Sequence, residues 1–152
     1  MASYLRLVPQ HWAGAYACWG LENREAALRL VTGSSGSEGW AANLEVKCVD
    51  LHANPYLLLA GVLAAGADPA ALPNPVDVDP AALGDEELGR RGIPRLPTSL
   101  RESVDAFRAD GVLAAAFGPE LVGSVVAVRE SELEQLGSAS PEDVADASRW
   151  AH

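Results

Sequence analysis

The sequence predicts an α+β fold, with an antiparallel β segment over about residues 1–50 followed by a helical C-terminal half. Three short alternating apolar runs, at residues 15–20, 26–31 and 43–50, are rich in the residue types that favour strands. From Asn54 onward, long Ala and Leu runs and helix-capping residues replace this alternation. A chain of 152 residues has room for one modest domain with a hydrophobic core.

The strand segments place several charged residues on one side of the predicted sheet. Alternation puts Glu45 and Lys47 on the same side of the third strand, and Arg29 lies in the second. The Gly- and Ser-rich segment 32–40 between these strands is typical of a flexible connection. If the two strands pair across it, the three charged side chains share one face.

The helical half begins with an apolar segment. Asn54 can cap a helix and Pro55 suits its first position, while the run to Ala67 is apolar on all faces. This composition predicts a buried central helix. The four prolines in residues 68–84 then predict an extended, rigid connection.

Further helices are predicted along the rest of the chain. Ser99 with Glu102 three residues later is a capping box, which predicts a helix over about 99–109. The other predicted helices are a short one in "DEELGRRG", one that follows Pro119, and one in the tail "SPEDVADASRWAH".

Charge and composition exclude several classes of function. The formal net charge of −10 would repel nucleic acid and anionic membranes. The longest apolar run, at residues 56–67, is too short to span a bilayer. Cys18 and Cys48 lie in apolar stretches, which indicates free thiols in a reducing compartment. We therefore expect a cytoplasmic protein with no nucleic-acid or membrane partner.

Two interpretations of the charged sheet face remain open from the residue pattern. The face is either the solvated side of a half-buried sheet, or a pocket in which arginines hold phosphate or carboxylate and a glutamate holds a divalent cation. His11, His52 and His152 have no metal-ligand spacing, and the tryptophans are typical packing residues. Spacing does not choose between the two interpretations.

Four motifs resemble the C-terminal part of glutamine synthetases, in the same order and spacing. They are "SYLRLVP" at 3–9, "NREAALRL" at 23–30, "NLEVKCVDLHANPYLLLAGVLAAG" at 43–66 and "LPTSLRESVDAF" at 96–107. The closing "SPEDVADASRW" also looks like the end of the family's sequences. The sequence of residues 11–30 resembles that of actinobacterial glutamine-synthetase-like enzymes that join glutamate to polyamines, ethanolamine or similar amines.

The resemblance implies a ligase in which ATP phosphorylates glutamate and an amine displaces the phosphate, with Mg or Mn holding the phosphates. Charge on a transferring phosphoryl group must be neutralised as it moves, which fits the arginines. By motif position, Arg6 matches the glutamate-binding arginine, and Arg24 and Arg29 match those that contact ATP phosphates. Glu45 matches a metal-binding glutamate.

Two positions depart from the family pattern. Lys47 stands where the family has an arginine that holds the substrate carboxylate, and a lysine offers a point charge in place of a bidentate fork. Trp12 aligns with an acid that contributes to the ammonium site. An indole favours a larger or alkyl amine, through packing or cation–π attraction, over ammonia.

The resemblance also implies that this chain is one portion of a larger catalytic domain, a fragment of the catalytic barrel. Family members carry an N-terminal β-grasp domain and earlier catalytic strands, and their active sites form between subunits of a ring. We expect the 152 residues alone to be inactive and to need a split N-terminal partner or other ring subunits. The alternative is a noncatalytic remnant that acts as an assembly or regulatory module with full-length subunits.

Overall fold

The computed structural model describes residues 2–11, 13–33, 35–50, 52–67 and 72–149. The chain divides into two compact units. The β unit comprises Arg6–Leu51 and Ala71–Leu96, and the helical unit comprises Met1–Leu5, His52–Ala70 and Pro97–His152. Strands and helices are both present, so the predicted α+β class is confirmed.

A three-stranded sheet of order β1-β2-β3 forms the centre of the β unit, with strands β1 (Tyr16–Leu21), β2 (Ala26–Val31) and β3 (Asn43–Val46). The antiparallel pairing of β2 with β3 is confirmed. The expectation of a wholly antiparallel segment was wrong, because β1 runs parallel to β2.

The connection between β1 and β2 spans only residues 22–25, whereas parallel strands usually need a crossover of a dozen or more residues. Glu22 turns the chain with a positive φ of 53°. The Asn23 side chain then donates to the carbonyls of Val76 and Val78 at 2.8 and 3.0 Å and accepts from the Glu25 N–H at 3.0 Å. These bonds fix the short connection against a later segment of the β unit.

The free edge of β1 is covered by later segments of the β unit. Val76 N–H donates to the Trp19 carbonyl at 2.8 Å, and Ala17 N–H donates to the Pro94 carbonyl at 2.8 Å. Backbone groups that an edge strand would leave unpaired are thereby satisfied. The buried core against this strand is formed by Ala15, Tyr16, Cys18, Ala26, Val76, Leu88 and Ile93.

The third strand is shorter than the sequence predicts. β3 ends at Val46 rather than continuing to Asp50, because residues 47 and 48 form a turn. The predicted loop 32–40 contains the start of a short helix, α1 (Glu38–Ala41), on which Trp40 is 82% exposed.

Both cysteines are free, as predicted, with Cys18 buried and Cys48 half-buried.

Apart from the start of α5, the remaining helices are bounded close to where the sequence predicts them. They are α2 (Pro55–Ala65), α3 (Asp85–Arg91), α4 (Leu100–Ala109), α5 (Gly111–Leu136) and α6 (Pro141–Ser148). Predicted caps are confirmed at Asn54, which accepts from Tyr56 and Leu57 N–H, and at Ser99, which accepts from Glu102 N–H. The predicted extended connection contains a 3-10 turn, Pro80–Ala82, and its residues 68–71 lie outside the described residues.

One expectation for the helical unit was wrong. The predicted central helix, α2, contains no buried residue. Its apolar composition requires cover, but the described residues of the helical unit supply it on one side only, where Gly61 lies near Leu113 and Phe117.

Helices α4 and α5 form the core of the helical unit. Leu100, Val104 and Val126 are buried together, and Tyr4 joins them through a 2.7 Å hydrogen bond from its hydroxyl to Ser103 Oγ. The sequence predicted the helix after Pro119 but not its first part, residues 111–117. Gly118, at φ 75° and ψ 161°, breaks the helix between these two parts.

By length and composition alone, α5 is long and apolar enough to cross a membrane. The break at Gly118 leaves residues 119–136 as the longer continuous part, and this part carries Glu120, Arg129, Glu130, Glu132 and Glu134. A spanning helix needs about 20 predominantly apolar residues. Neither part of α5 meets that requirement.

The contact of Gly14 with β2 generates a stability prediction. Gly14 has φ +72°, and a Cβ there would lie 2.6 Å from Ala27 Cα. We expect Gly14→Ala to lower the free energy of unfolding by at least about 2 kcal/mol, because of backbone strain and the clash. Urea denaturation measures the change.

The matched control for this substitution is Gly89→Ala, inside α3. A Cβ at Gly89 meets nothing within 4 Å, so alanine should stabilise the helix by about 0.5–1 kcal/mol. Equal effects of the two substitutions would contradict the described approach of Gly14 to β2.

Candidate functional site

The strand register brings together two residues that the sequence placed on one face. Arg29 on β2 lies directly opposite Glu45 on β3. Arg29 Nη1 donates to the two Glu45 carboxylate oxygens at 3.2 and 3.3 Å. This pair confirms the predicted shared face, since opposite residues of antiparallel strands project to the same side.

A second carboxylate, which the sequence analysis missed, also contacts Arg29. Arg29 Nη2 lies 2.5 Å from Glu22 Oε2, and Glu22 Oε1 accepts from the Thr32 N–H at 3.1 Å. Glu22 follows β1 in a turn with positive φ, a placement that no periodic pattern signals. The Thr32 hydrogen bond, assisted by Arg29, lowers the pKa of Glu22 below its ordinary value.

The Arg29 guanidinium is therefore enclosed by negative charge. Its side chain is 13% exposed. Burial acts to lower the pKa of Arg29, but the hydrogen bonds to Glu22 and Glu45 outweigh it and the pKa is raised. Arg29 Nε is buried and, within the described part of the chain, has no hydrogen-bond partner. An unsatisfied buried donor is costly, so an acceptor oxygen reaching Nε would stabilise the site.

Lys47 lies one residue beyond β3 and keeps the register of the strand. Its N–H donates to the Ala27 carbonyl at 2.9 Å, and its Nζ donates to the Arg24 carbonyl. Burial is the main reason that the pKa of Lys47 is lowered. The side chain is therefore held against the turn that carries Arg24, whose own side chain is exposed.

Arg6 holds the chain that follows β3. Its Nη1 donates to the Lys47 carbonyl at 3.1 Å and its Nη2 to the Val49 carbonyl at 2.7 Å. An arginine carries five N–H donors, and only two of those of Arg6 are used by acceptors in the part of the chain that the structure describes. Trp12, the sixth candidate from the sequence, lies outside the described residues.

These contacts define a charged cluster in the β unit. The charged cluster consists of Arg6, Glu22, Arg24, Arg29, Glu45 and Lys47. Four cations and two carboxylates give it a net charge of +2, which the neighbouring Glu25 carboxylate, whose charge also acts on Lys47, reduces to +1, within a chain whose formal net charge is −10. An excess of closely spaced guanidinium and ammonium groups attracts phosphate or carboxylate oxygens.

The same residues do not form a metal site by themselves. Glu45 offers one carboxylate, which already accepts from Arg29. Among the residues that the structure describes, no group of three or more His, Cys, Asp or Glu side chains is placed to hold a metal ion. Divalent cations in proteins are held by several oxygen ligands, so further ligands would have to come from outside this set.

Comparisons with known proteins identify the family. A family model described as "Glutamine synthetase, catalytic domain" matches residues 1–145. A gamma-glutamylpolyamine synthetase of Streptomyces coelicolor is 52% identical over 155 residues, covering 99% of this chain and 33% of the relative. A glutamine synthetase of Thermococcus kodakarensis is 37% identical over 120 residues, covering 76% of this chain and 26% of the relative.

A solved structure described as a novel glutamine synthase homolog has a TM-score of 0.70 at 34% identity and covers 96% of this chain and 32% of its own. The chain therefore belongs to the glutamine synthetase family, as the motifs indicated. It spans about a third of the length of these relatives.

The lowered pKa of Glu22 generates a prediction about pH. A carboxyl whose pKa is depressed by folding adds stability above its unfolded pKa, and this stability is lost as pH falls through the folded pKa. We expect Glu22→Gln to be less stable than the wild type near neutral pH. The difference should narrow as pH falls below about 4.3, the ordinary pKa of glutamate.

Urea denaturation between neutral pH and about pH 3 measures this difference. The control is Glu134→Gln, which removes an exposed carboxylate near the end of α5. A Glu22→Gln deficit that stays constant across the whole pH range would contradict the role of the Glu22 charge.

Proposed function

We propose that the chain is the C-terminal part of an ATP-dependent ligase that joins glutamate to an amine other than ammonia. The observation that carries this proposal is the charged cluster, which contains five of the six residues that the family resemblance assigns to substrates and metal. Family membership supports a ligase of the glutamine synthetase type.

Arg24 and Arg29 are proposed to contact the phosphates of ATP. Phosphoryl transfer depends mainly on positioning and on neutralising charge over the phosphate oxygens. Arg29 is fixed by Glu22 and Glu45, so its orientation is set before any ligand arrives. Arg24 is exposed, while its carbonyl is tied to Lys47, so its position in the turn is also defined.

Arg6 and Lys47 are proposed to hold the substrate glutamate. Among the described residues, Arg6 donates only to the Lys47 and Val49 carbonyls, which leaves three of its N–H donors for a ligand. Lys47 offers a compact charge where the family resemblance expects a bidentate arginine. The difference predicts weaker or differently oriented carboxylate binding at this position.

An alkyl amine is proposed as the second substrate. The relative from Streptomyces coelicolor is named a gamma-glutamylpolyamine synthetase and matches 99% of this chain. A polyamine carries several positive charges, and the acidic chain, at −10, would attract it electrostatically. The proposed contact with the indole of Trp12 rests on the sequence resemblance.

Mg or Mn is proposed to be bound with Glu45 as one ligand. The other ligands are proposed to come from the part of the family's catalytic domain that this chain does not span, either from a split N-terminal partner or from subunits of a ring. Such an ion would neutralise charge on the phosphates. A cytoplasmic location is proposed, in keeping with the two free thiols.

Activity should require the missing part of the domain. We expect the chain alone to release no phosphate from ATP with glutamate and putrescine, ethanolamine or ammonia. Mixed or co-expressed with the part of the Streptomyces relative that it does not match, it should turn over, faster with putrescine than with ammonia. Phosphate release measures both.

Substitution of Glu45 separates catalysis from assembly in that mixture. Glu45→Gln should lower turnover by about 100-fold, since one charged ligand is lost. The control Glu86→Gln, at an exposed position of α3, should leave turnover unchanged. Turnover by the chain alone would contradict the proposal of an incomplete enzyme, and assembly without turnover would favour the noncatalytic alternative.

The proposed division of the cluster between two substrates is testable by kinetics. In the completed enzyme, Lys47→Ala should raise the KM for glutamate about tenfold and leave the KM for ATP within about twofold. Arg24→Ala should raise the KM for ATP about tenfold and leave the KM for glutamate within about twofold. If both substitutions raise both KM values equally, the two residues do not serve separate substrates.

A further inference from the structure

Helix α2 presents a continuous apolar stripe to solvent. Tyr56, Leu59 and Leu63 are 83%, 59% and 65% exposed. Their spacing of three and four residues places them along one side of the helix. The stripe has no charge, since α2 contains no Asp, Glu, Lys or Arg. Exposed patches of this kind mark interaction surfaces in soluble proteins.

The other side of α2 is already in use. A Cβ at Gly61 would lie 3.6 Å from Leu113 and 3.7 Å from Phe117, so this side faces α5. The stripe is exposed even though α2 packs against α5, so its exposure does not come from a detached helix. Helix α2 is held within the helical unit, while Tyr56, Leu59 and Leu63 on its second side stay exposed.

We infer that the stripe Tyr56–Leu59–Leu63 binds the remaining two thirds of a glutamine-synthetase-type ligase, an inference that rests on the proposed function. The chain matches only 33% of the Streptomyces coelicolor relative and 32% of the solved homologue. In those proteins, α2 belongs to a chain about three times as long. We therefore expect the unmatched part of the ligase to supply the apolar surface that packs against the stripe.

Other occupants fit the charges less well. A second copy of this chain would bring another formal charge of −10 to the contact, and the like charges would repel. A lipid surface is recognised by amphipathic helices with Lys or Arg on the polar face, and α2 has neither residue. An uncharged stripe fits an uncharged protein surface, where apolar area is buried without loss of ion hydration.

Binding of two purified chains tests the inference. The probe is the part of the Streptomyces coelicolor relative that this chain does not match, titrated into the full 152-residue chain and followed by calorimetry. Leu59→Glu with Leu63→Glu should weaken binding by about 100-fold, because two buried anchors become charged. The control is Leu72→Glu, which is 61% exposed in the β unit and should bind as the wild type does.

A chimera keeps the test decisive if the separate probe does not fold. In it, this chain replaces the matched third of the relative. Hydrogen exchange of the amides in Pro55–Ala65 should be at least about tenfold slower in the chimera than in the isolated chain, since α2 gains cover. Equal exchange in both would overturn the inference.

The outcomes separate this inference from the proposed function. If the wild-type mixture binds but does not turn over, and the double variant loses binding, the docking surface is supported and the proposed activity is contradicted. If turnover persists in the double variant, the docking surface is contradicted and the proposed activity is supported. Dimerisation of the chain alone, or binding to phosphatidylcholine vesicles, that is abolished by the same two substitutions would overturn the inference in favour of those occupants.

Discussion

The contact of Arg29 with two carboxylates is the interaction on which the charged cluster depends. Glu45 approaches from β3 and Glu22 from the turn after β1, so one guanidinium ties together three segments of the β unit. Each carboxylate is partly exposed while Arg29 is almost enclosed. Removing either carboxylate would leave the buried Arg29 charge with less compensation and would therefore destabilise the fold, whereas the intact pair adds little net stability because burying its charges is costly.

The other cluster residues build on this arrangement. Lys47 extends the β2–β3 register by one hydrogen bond, and Arg6 then fixes the Lys47 and Val49 carbonyls. The Arg6 and Lys47 side chains are therefore fixed by bonds to backbone carbonyls, whereas Arg29 is fixed by carboxylates. Side chains held in this way would lose little order on binding the proposed substrates, and such preorganisation would favour the proposed reaction.

The sequence predicted those parts of the site that follow from local periodicity. Alternation in β3 and antiparallel pairing were enough to place Arg29 beside Glu45. Glu22 could not be found in this way, because its position depends on a left-handed turn. Nor could the contacts of Asn23, in the connection between the parallel strands β1 and β2, with carbonyls more than fifty residues later be found in this way. Tertiary contacts of that kind leave no periodic signal.

Helix α2 shows a different limit of sequence reasoning. Its composition correctly indicated a need for burial, and Asn54 and Pro55 correctly indicated where it begins. Composition does not say which chain supplies the cover. In a chain that spans about a third of its relatives, the expected core helix instead keeps an exposed side. The error in the burial prediction is therefore informative about the proposed partner.

A double-mutant cycle between Arg29 and Glu45 tests the central claim most directly. Unfolding of the wild type, Arg29→Gln, Glu45→Gln and the double variant is measured by urea denaturation. If the pair organises the cluster, the double variant loses clearly less stability than the sum of the two single losses. Single losses that simply add would show that the two residues do not interact, and would contradict the account.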